Sequence, residues 1–379
     1  MRKDNNSKKV FFELVKAGLW ADINDSANYD LFEDVDWSKV YRLAEEQSVI
    51  GLVADGIDRF KLQHSRFIVP QEWALLFAGQ TLRLEQRNLA MNAFIGNLIK
   101  RLQDEDIYTL LVKGQGIAQC YEKPLWRACG DVDLFLNEQN YRNAQSCLIP
   151  KASDVEKENP VNLHQAMTID GWCVELHGTL RSQLGRRIDK MIDEVQADVF
   201  YGGNVRSWDN GGTTVLLPAV DNDVIFVFTH ILQHYFGSGI GLRQICDWCR
   251  LLWTYKDSLN HGLLRSRLRK MRLMSHWKAF ASLAVESLGM PVEAIPLYSD
   301  DKKWTKKADG IISLIMETGN FGHGREQSYK KKYPKLVEYV ISFWVFTRYG
   351  IRQFMIFPID AFRGWIRIIT LGIKAKLGT

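Results

Sequence analysis

Apolar residues in the first hundred positions recur at three- and four-residue steps, the period of a helix with one buried face. Val40, Leu43 and Ala44 follow Asp36, a residue type suited to cap a helix N-terminus. Pro70 opens a longer pattern in which Met91, Phe94, Ile95, Leu98, Ile99 and Leu102 share a face. The period then changes. IYTLLV (107–112) and DVDLFL (131–136) are short apolar runs of the strand type. QAMTID and WCVELH, the second ending at His177, lie either side of Gly171 and read as a hairpin. VFYGGNVRSW and TTVLL read as further strands around the turn Asp209-Asn210-Gly211-Gly212. From Ala219 onward the pattern is helical again. The expected fold is α+β: a small mixed β-sheet core (106–218) between an N-terminal helical region (1–105) and a helical domain (219–329), followed by a tail (330–379).

A length of 379 residues exceeds what one core usually organises, which agrees with several units. Hydrophobic residues make up 46% and charged residues 25%, the balance of a globular protein rather than a disordered one. No uncharged apolar run approaches the roughly 18–20 residues that span a bilayer. The N-terminus lacks the apolar stretch and cleavage site of a secretory signal, so a cytoplasmic location is expected. Cys246 and Cys249 form a lone C-x-x-C without the second pair of a zinc site, and read as ordinary reduced thiols. Charge changes the picture of the tail. Residues 330–379 hold ten Lys or Arg against two acids, a local excess of +8 in a chain whose net charge is +5. Arg363, Arg367 and Lys374 lie on nearly the same side of an ideal helix, with Trp365, Ile366, Ile369 and Ile373 beside or opposite them. This pattern fits either a helix lying on an anionic membrane surface or one packing on its own domain.

In DVDLFL, strand alternation puts Asp131 and Asp133 on one face and Val132 and Leu134 on the other. Two adjacent carboxylates either raise a pKa or hold a cation. In WCVELH, Glu175 lies between apolar Val174 and Leu176 and so faces away from the core, as a solvated acid or as a third member of the set. Ahead of these acids, Lys113-Gly114-Gln115-Gly116 turns from a strand into a short helical stretch, whose N–H groups suit a phosphate. Paired carboxylates following such a turn are the arrangement for nucleotidyl transfer. There, two cations about 3.5–4 Å apart serve the attacking hydroxyl and the leaving pyrophosphate.

LLVKGQGIAQCYEKPLWRACGDVDLFL resembles the K-G-x-x-(A)…Y…P…R-x-x-G-D-[IV]-D-L signature of the uncharacterised nucleotidyltransferase family, within the polymerase-β-like superfamily. DWSKVYRLAEEQSVIGLV resembles that family's N-terminal helical segment, and VELHGTL its third-carboxylate strand. HILQHYFGSGIGLRQICDWCRLL resembles its downstream helical motif, with His230, His234, Arg243 and Asp247. The likeness runs from near Asp36 to Leu252. It implies that Asp131, Asp133 and Glu175 are catalytic and hold Mg²⁺ (or Mn²⁺). It also implies that Gly114 contacts the phosphates of a nucleoside triphosphate. Gln115 departs from the Gly or Ser usual in the wider superfamily, and the spacing from the glycine to Asp131 is longer.

Several further residues fit two roles each. Arg127 suits triphosphate or a structural carboxylate, and Lys113 likewise. His177 shares a face with Glu175 and suits contact with substrate, orientation of a metal-ligating side chain or a structural hydrogen bond. His230 and His234, at i and i+4, share a helix face, but the glutamate of a H-E-x-x-H zinc motif is absent. Arg243 and Asp247 either pair along their helix, worth about 0.2–0.5 kcal/mol, or help lid the site with Arg243 on the nucleotide. The expected reaction moves an NMP from an NTP to a hydroxyl or phosphate acceptor on a sugar or other small molecule, a protein or an RNA. Two other readings stand beside it: a nucleotide-binding interaction module without turnover, and a phosphotransferase acting on a surface glycan.

Overall fold

Asp36 accepts from the Lys39 N–H and starts α2 (Trp37–Glu46), whose Trp37, Val40, Leu43 and Ala44 are buried. The computed structural model describes residues 2–20, 32–63, 67–237, 239–320, 335–364 and 366. Helices α1 (Arg2–Leu19) and α3 (Ile50–Gln63) flank α2 in sequence and pack together. Their contact needs glycine: a Cβ on Gly18 would lie 2.1 Å from Leu52 O, and one on Gly56 2.1 Å from Leu14 O. Pro70 precedes α4 (Gln71–Asp104), which buries Met91, Ile95, Leu98, Ile99 and Leu102.

The central sheet contains β1 (Leu110–Val112), β2 (Asp131–Phe135), β3 (Asp154–Val155), β4 (His164–Ile169) and β5 (Trp172–His177), in the order β1-β2-β5-β4-β3. The short helix α5 (Gly114–Ala118) follows β1, and α6 (Glu138–Leu148) follows β2. β2 runs parallel to β5, and the remaining pairs are antiparallel. The β4–β5 turn has Asp170 at φ 51° and Gly171 at φ 80°, two left-handed residues in succession as a tight hairpin requires. Val132, Leu134, Met167, Val174 and Leu176 point from one sheet face into a core shared with α4 and α6. Burying each such side chain stabilises by about 1.5–3 kcal/mol. A one-residue slip would move them all to the other face, so the register is strongly specified. On that other face Leu110, Val112 and Phe135 join the larger helical core.

Three expectations need correction. IYTLLV forms a strand only from Leu110, and Val199 and Phe200 end a helix, α7 (Arg186–Phe200), instead of starting a strand. Ile188, Met191, Ile192, Val195 and Val199 are buried at helical spacing, and that periodicity outweighs the β-propensity of VFY. The second sheet is β6 (Val205–Asn210) with β7 (Thr213–Pro218), and Asp209 and Asn210 belong to the strand with Gly211-Gly212 as the turn.

The helical continuation comprises α8 (Val220–Phe236), α9 (Leu242–Thr254), α10 (His261–Met271), α11 (Met274–Leu288), α12 (Lys302–Thr318) and α13 (Lys335–Ile356). Cys246 and Cys249 are fully buried free thiols on α9. Among the described residues, no helix is long and apolar enough to cross a membrane. Arg367, Ile369, Ile373 and Lys374, and the Trp365 side chain, lie outside the described residues.

Candidate active site

The parallel pairing of β2 with β5 sets Asp133 opposite Glu175. With Asp131 two residues earlier on the same strand, all three carboxylates share the sheet face that looks toward α8. Asp133 is 3% exposed, so its charge needs partners. Lys113 Nζ donates to its Oδ1 at 2.9 Å, and His177 Nε2 lies 2.8 Å from the same oxygen. Glu175 Oε2 faces His164 Nε2 at 3.2 Å and His177 Nε2 at 3.4 Å.

Lys113 reaches Asp133 because β1 ends in a sharp turn. Its backbone is left-handed (φ 56°), a conformation that favours glycine, and it stands just before α5. Gly114 follows at φ 40°, where an added Cβ would come within 3.3 Å of Cys129 Sγ. Gly130 packs against nothing: a Cβ there meets no atom within 4 Å, which leaves the approach to Asp131 open.

The electrostatics show what this arrangement favours. The Asp133 charge, then burial and Glu175, push the Asp131 carboxyl up. Burial alone would raise Asp133, but Lys113 and His177 hold it down. Hydrogen bonds from His164 and His177 hold Glu175 well below the usual range. Burial would lower Lys113, yet Asp133 keeps it above its ordinary value. Three carboxylates therefore share one ammonium and two imidazoles, and at Asp131 the repulsion of its neighbours outweighs the pull of Lys113 and Arg243. Hard oxygen donors under mutual repulsion fit a divalent cation such as Mg²⁺ or Mn²⁺.

Across the cleft stand α8 and α9. His230 and His234 hydrogen-bond to each other, Nε2 to Nε2, at 3.0 Å. Burial and then Lys113 push both down, His234 to about 4, so both are neutral at pH 7. Arg243 donates from Nη1 to Ala128 O at 2.7 Å. The helical pair of Arg243 with Asp247 does not form. Asp247 is taken by Arg127, whose Nε and Nη2 donate to its two oxygens at 3.0 and 2.6 Å, while Tyr121 donates its hydroxyl at 2.7 Å. Arg127 thus has the structural partner that was one of its two expected roles. Its Nη1 is nevertheless buried without a partner, as is Arg243 Nε.

These groups enclose two adjoining cavities. One, of about 170 Å³, is lined by Lys113, Gly114, Arg127, Asp131, Asp133 and Arg243, with Glu175, His230, His234 and Asp247 also at its walls. The other, of about 270 Å³, lies toward His164 and His177 and includes Asn162, Thr179 and Gln233. Lys113, Glu175, His230 and His234 border both.

Gln115 turns away from the cleft. Its side chain is 1% exposed and donates to Asn88 Oδ1 at 2.8 Å, and Asn88 Nδ2 in turn donates to Leu125 O and Arg127 O. A nucleotide contact by Gln115 is therefore left to its main chain, because the amide is spent joining α4 to the glycine turn. The sequence reading missed Asn88, for which a single polar residue in a helical pattern offers no signal. It also missed His164, which did have one. A two-residue Asp-Gly turn sets the hairpin register, and counting back from it puts His164 opposite His177. Among the described residues, His164, Glu175 and His177 form the group of three metal-ligating side chains whose donor atoms all lie within 4.8 Å of one another.

The fold places two acids on one strand of a mixed sheet, a third on its parallel neighbour and a glycine turn beside them. The sequence profile of the family described as Uncharacterised nucleotidyltransferase matches residues 33–289, about two thirds of the chain, and this chain belongs to that family. No curated protein and no solved structure matches it.

Proposed function

We propose that the protein moves a nucleoside monophosphate from an NTP to a hydroxyl or phosphate acceptor, with Asp131, Asp133 and Glu175 as the central carboxylates. The observation that carries this reading is the Asp133–Glu175 register, which gathers three acids on the wall of a cavity that also presents Lys113, Arg127 and Arg243. The acids would hold divalent ions, which supply Lewis-acid polarisation of the phosphate and a more acidic attacking hydroxyl. The chain's own groups do the positioning. Lys113 and the unpartnered N–H groups of Arg127 and Arg243 neutralise and orient the phosphates in the smaller cavity. The neutral His230–His234 pair offers hydrogen bonds without adding charge to the cleft. The acceptor enters from the His164 side, where Glu175 and His177 meet it.

Incubating the protein with labelled NTPs, Mg²⁺ or Mn²⁺ and a cell extract tests this. Label transferred to a discrete acceptor by the wild type, and not by Asp133→Asn, supports it. Nucleotide binding without transfer under any cation would favour a non-catalytic module.

A second reading concerns where the protein works. The end of α13 and the helical residues 358–364 after the bend at Phe357 are apolar on two sides: Tyr349, Ile356 and Phe357 are buried, while Ile351, Met355, Ile359 and Phe362 are 57%, 79%, 66% and 53% exposed. The exposed stripe beside Arg348 and Arg363, in a segment with an excess of +8, suits the anionic face of a bilayer. Co-sedimentation with anionic but not neutral vesicles, weakened by salt and by Met355→Asp with Ile359→Asp, is the expected result. Binding unchanged by that pair ends the idea.

A further inference from the structure

The cleft is furnished differently at its two ends. Asp131 and Asp133 themselves offer only oxygens, with His177 Nε2 2.8 Å from Asp133 Oδ1 at the boundary between the two ends. Around Glu175 two imidazoles arrive from neighbouring strands. The hairpin pairs His164 with His177, so both rings stand on the Glu175 face, and Ala166 opposite Glu175 adds only a methyl group there. Two ring nitrogens converge on one carboxylate oxygen: His164 Nε2 is 3.2 Å and His177 Nε2 is 3.4 Å from Glu175 Oε2. Ligands bound at about 2.0–2.1 Å around a tetrahedral ion are separated by roughly 3.4 Å. Both nitrogen–oxygen separations therefore stand near the spacing such an ion would impose, and all three donor atoms lie within 4.8 Å of one another. His164 is also half-exposed at the larger cavity, which gives an ion a way in.

We propose that His164, Glu175 and His177 form a site for a first-row transition ion of the Zn²⁺ or Co²⁺ type, next to an oxygen-only Mg²⁺ site at Asp131 and Asp133. Two imidazoles and one carboxylate are a borderline donor set that Mg²⁺ disfavours, since it prefers oxygen ligands and retains its waters. One cleft thus sorts two kinds of cation by donor chemistry, and the ion at the histidine end faces the acceptor cavity. In that placement the inference rests on the transfer reading above. The binding itself requires neither nucleotide nor turnover.

Co²⁺ is the direct probe, because its visible absorption reports nitrogen ligation. The full-length protein, stripped with chelator, is titrated with Co²⁺ and then challenged with Mg²⁺. One equivalent is expected to bind with a visible band that a large excess of Mg²⁺ does not remove. His164→Gln should weaken Co²⁺ binding by about tenfold or more, while Asp131→Asn leaves it within about threefold. His177→Gln provides a second variant, and an unchanged thermal melt for either one keeps its result interpretable. The proposal is overturned by Co²⁺ binding no tighter than Mg²⁺, or by undiminished binding in both histidine variants. It is equally overturned if binding is lost in His230→Gln or Cys246→Ser instead. Co²⁺ bound through His164 with no transfer on any NTP would overturn the transferase reading and not the site. Asp133-dependent transfer without Co²⁺ binding would do the reverse.

Discussion

His177 on the sheet wall and His234 on the helical wall border one cleft, yet their environments push them in opposite directions. Burial and Lys113 alone would lower His177, but the Asp133 and Glu175 carboxylates more than offset both and raise it. At His234 burial comes first and the same Lys113 second, and together they outweigh the pull of Asp133 and Glu175, so it falls to about 4. Partners, more than burial, decide which wall carries charge. The sheet wall is anionic and fit for cations; the helical wall contributes neutral imidazoles and the Arg243 guanidinium.

The sharpest way to break this comparison is at the centre of the anionic wall. Asp133→Asn keeps the shape and one acceptor oxygen but removes the charge. Transfer should fall by roughly 10³-fold, about 4 kcal/mol at the barrier, in a labelled-nucleotide assay. Activity near wild type would mean that the carboxylate ladder is scaffold.

On the opposite wall, Arg127→Ala strands Asp247, which is 4% exposed. Breaking a buried pair from one side costs about 3–5 kcal/mol, so the urea midpoint should drop sharply. If stability holds while KM for NTP rises, Arg127 serves phosphate more than structure.

A pH series on chelator-treated protein tests the two histidines directly. His234 has a folded value of about 4 against an ordinary 6.5, so between those values the unfolded chain binds the extra proton. Its contribution is complete above pH 6.5 and is lost as pH falls toward 4, up to about 3 kcal/mol. His177 is raised, so its contribution is complete below 6.5 and is lost as pH rises through its folded value. His234→Gln should flatten the acid limb and His177→Gln the neutral limb of a denaturation series. The same limb flattening in both variants would contradict the opposed shifts.

The smallest effect belongs to Gln115→Leu. Losing the hydrogen bond to Asn88 should cost about 1 kcal/mol of stability and leave KM for NTP within about twofold. A large KM change with unaltered stability would return the side chain to the phosphates.

Much of the sheet wall was legible in the sequence, because a strand has a strict period of two. Asp131 and Asp133 had to share a face once Val132 and Leu134 were buried, and Glu175 had to oppose Val174 and Leu176. His164 was legible through the Asp-Gly turn. α7 was also written in its apolar spacing, although VFYGG masked its end. The helical wall was legible only as elements: the i,i+4 rule placed His230 beside His234 and offered Asp247 to Arg243. What the sequence by itself determined is local periodicity, turn type and which residues share a face. Only the tertiary structure decided that β2 pairs in parallel with β5, that Asp247 binds Arg127 from 120 residues away, and that Gln115 faces Asn88. The physical reason is that a buried charge or amide takes whichever partner the packed core brings within about 3 Å. That choice depends on contacts between distant segments, which no local pattern records.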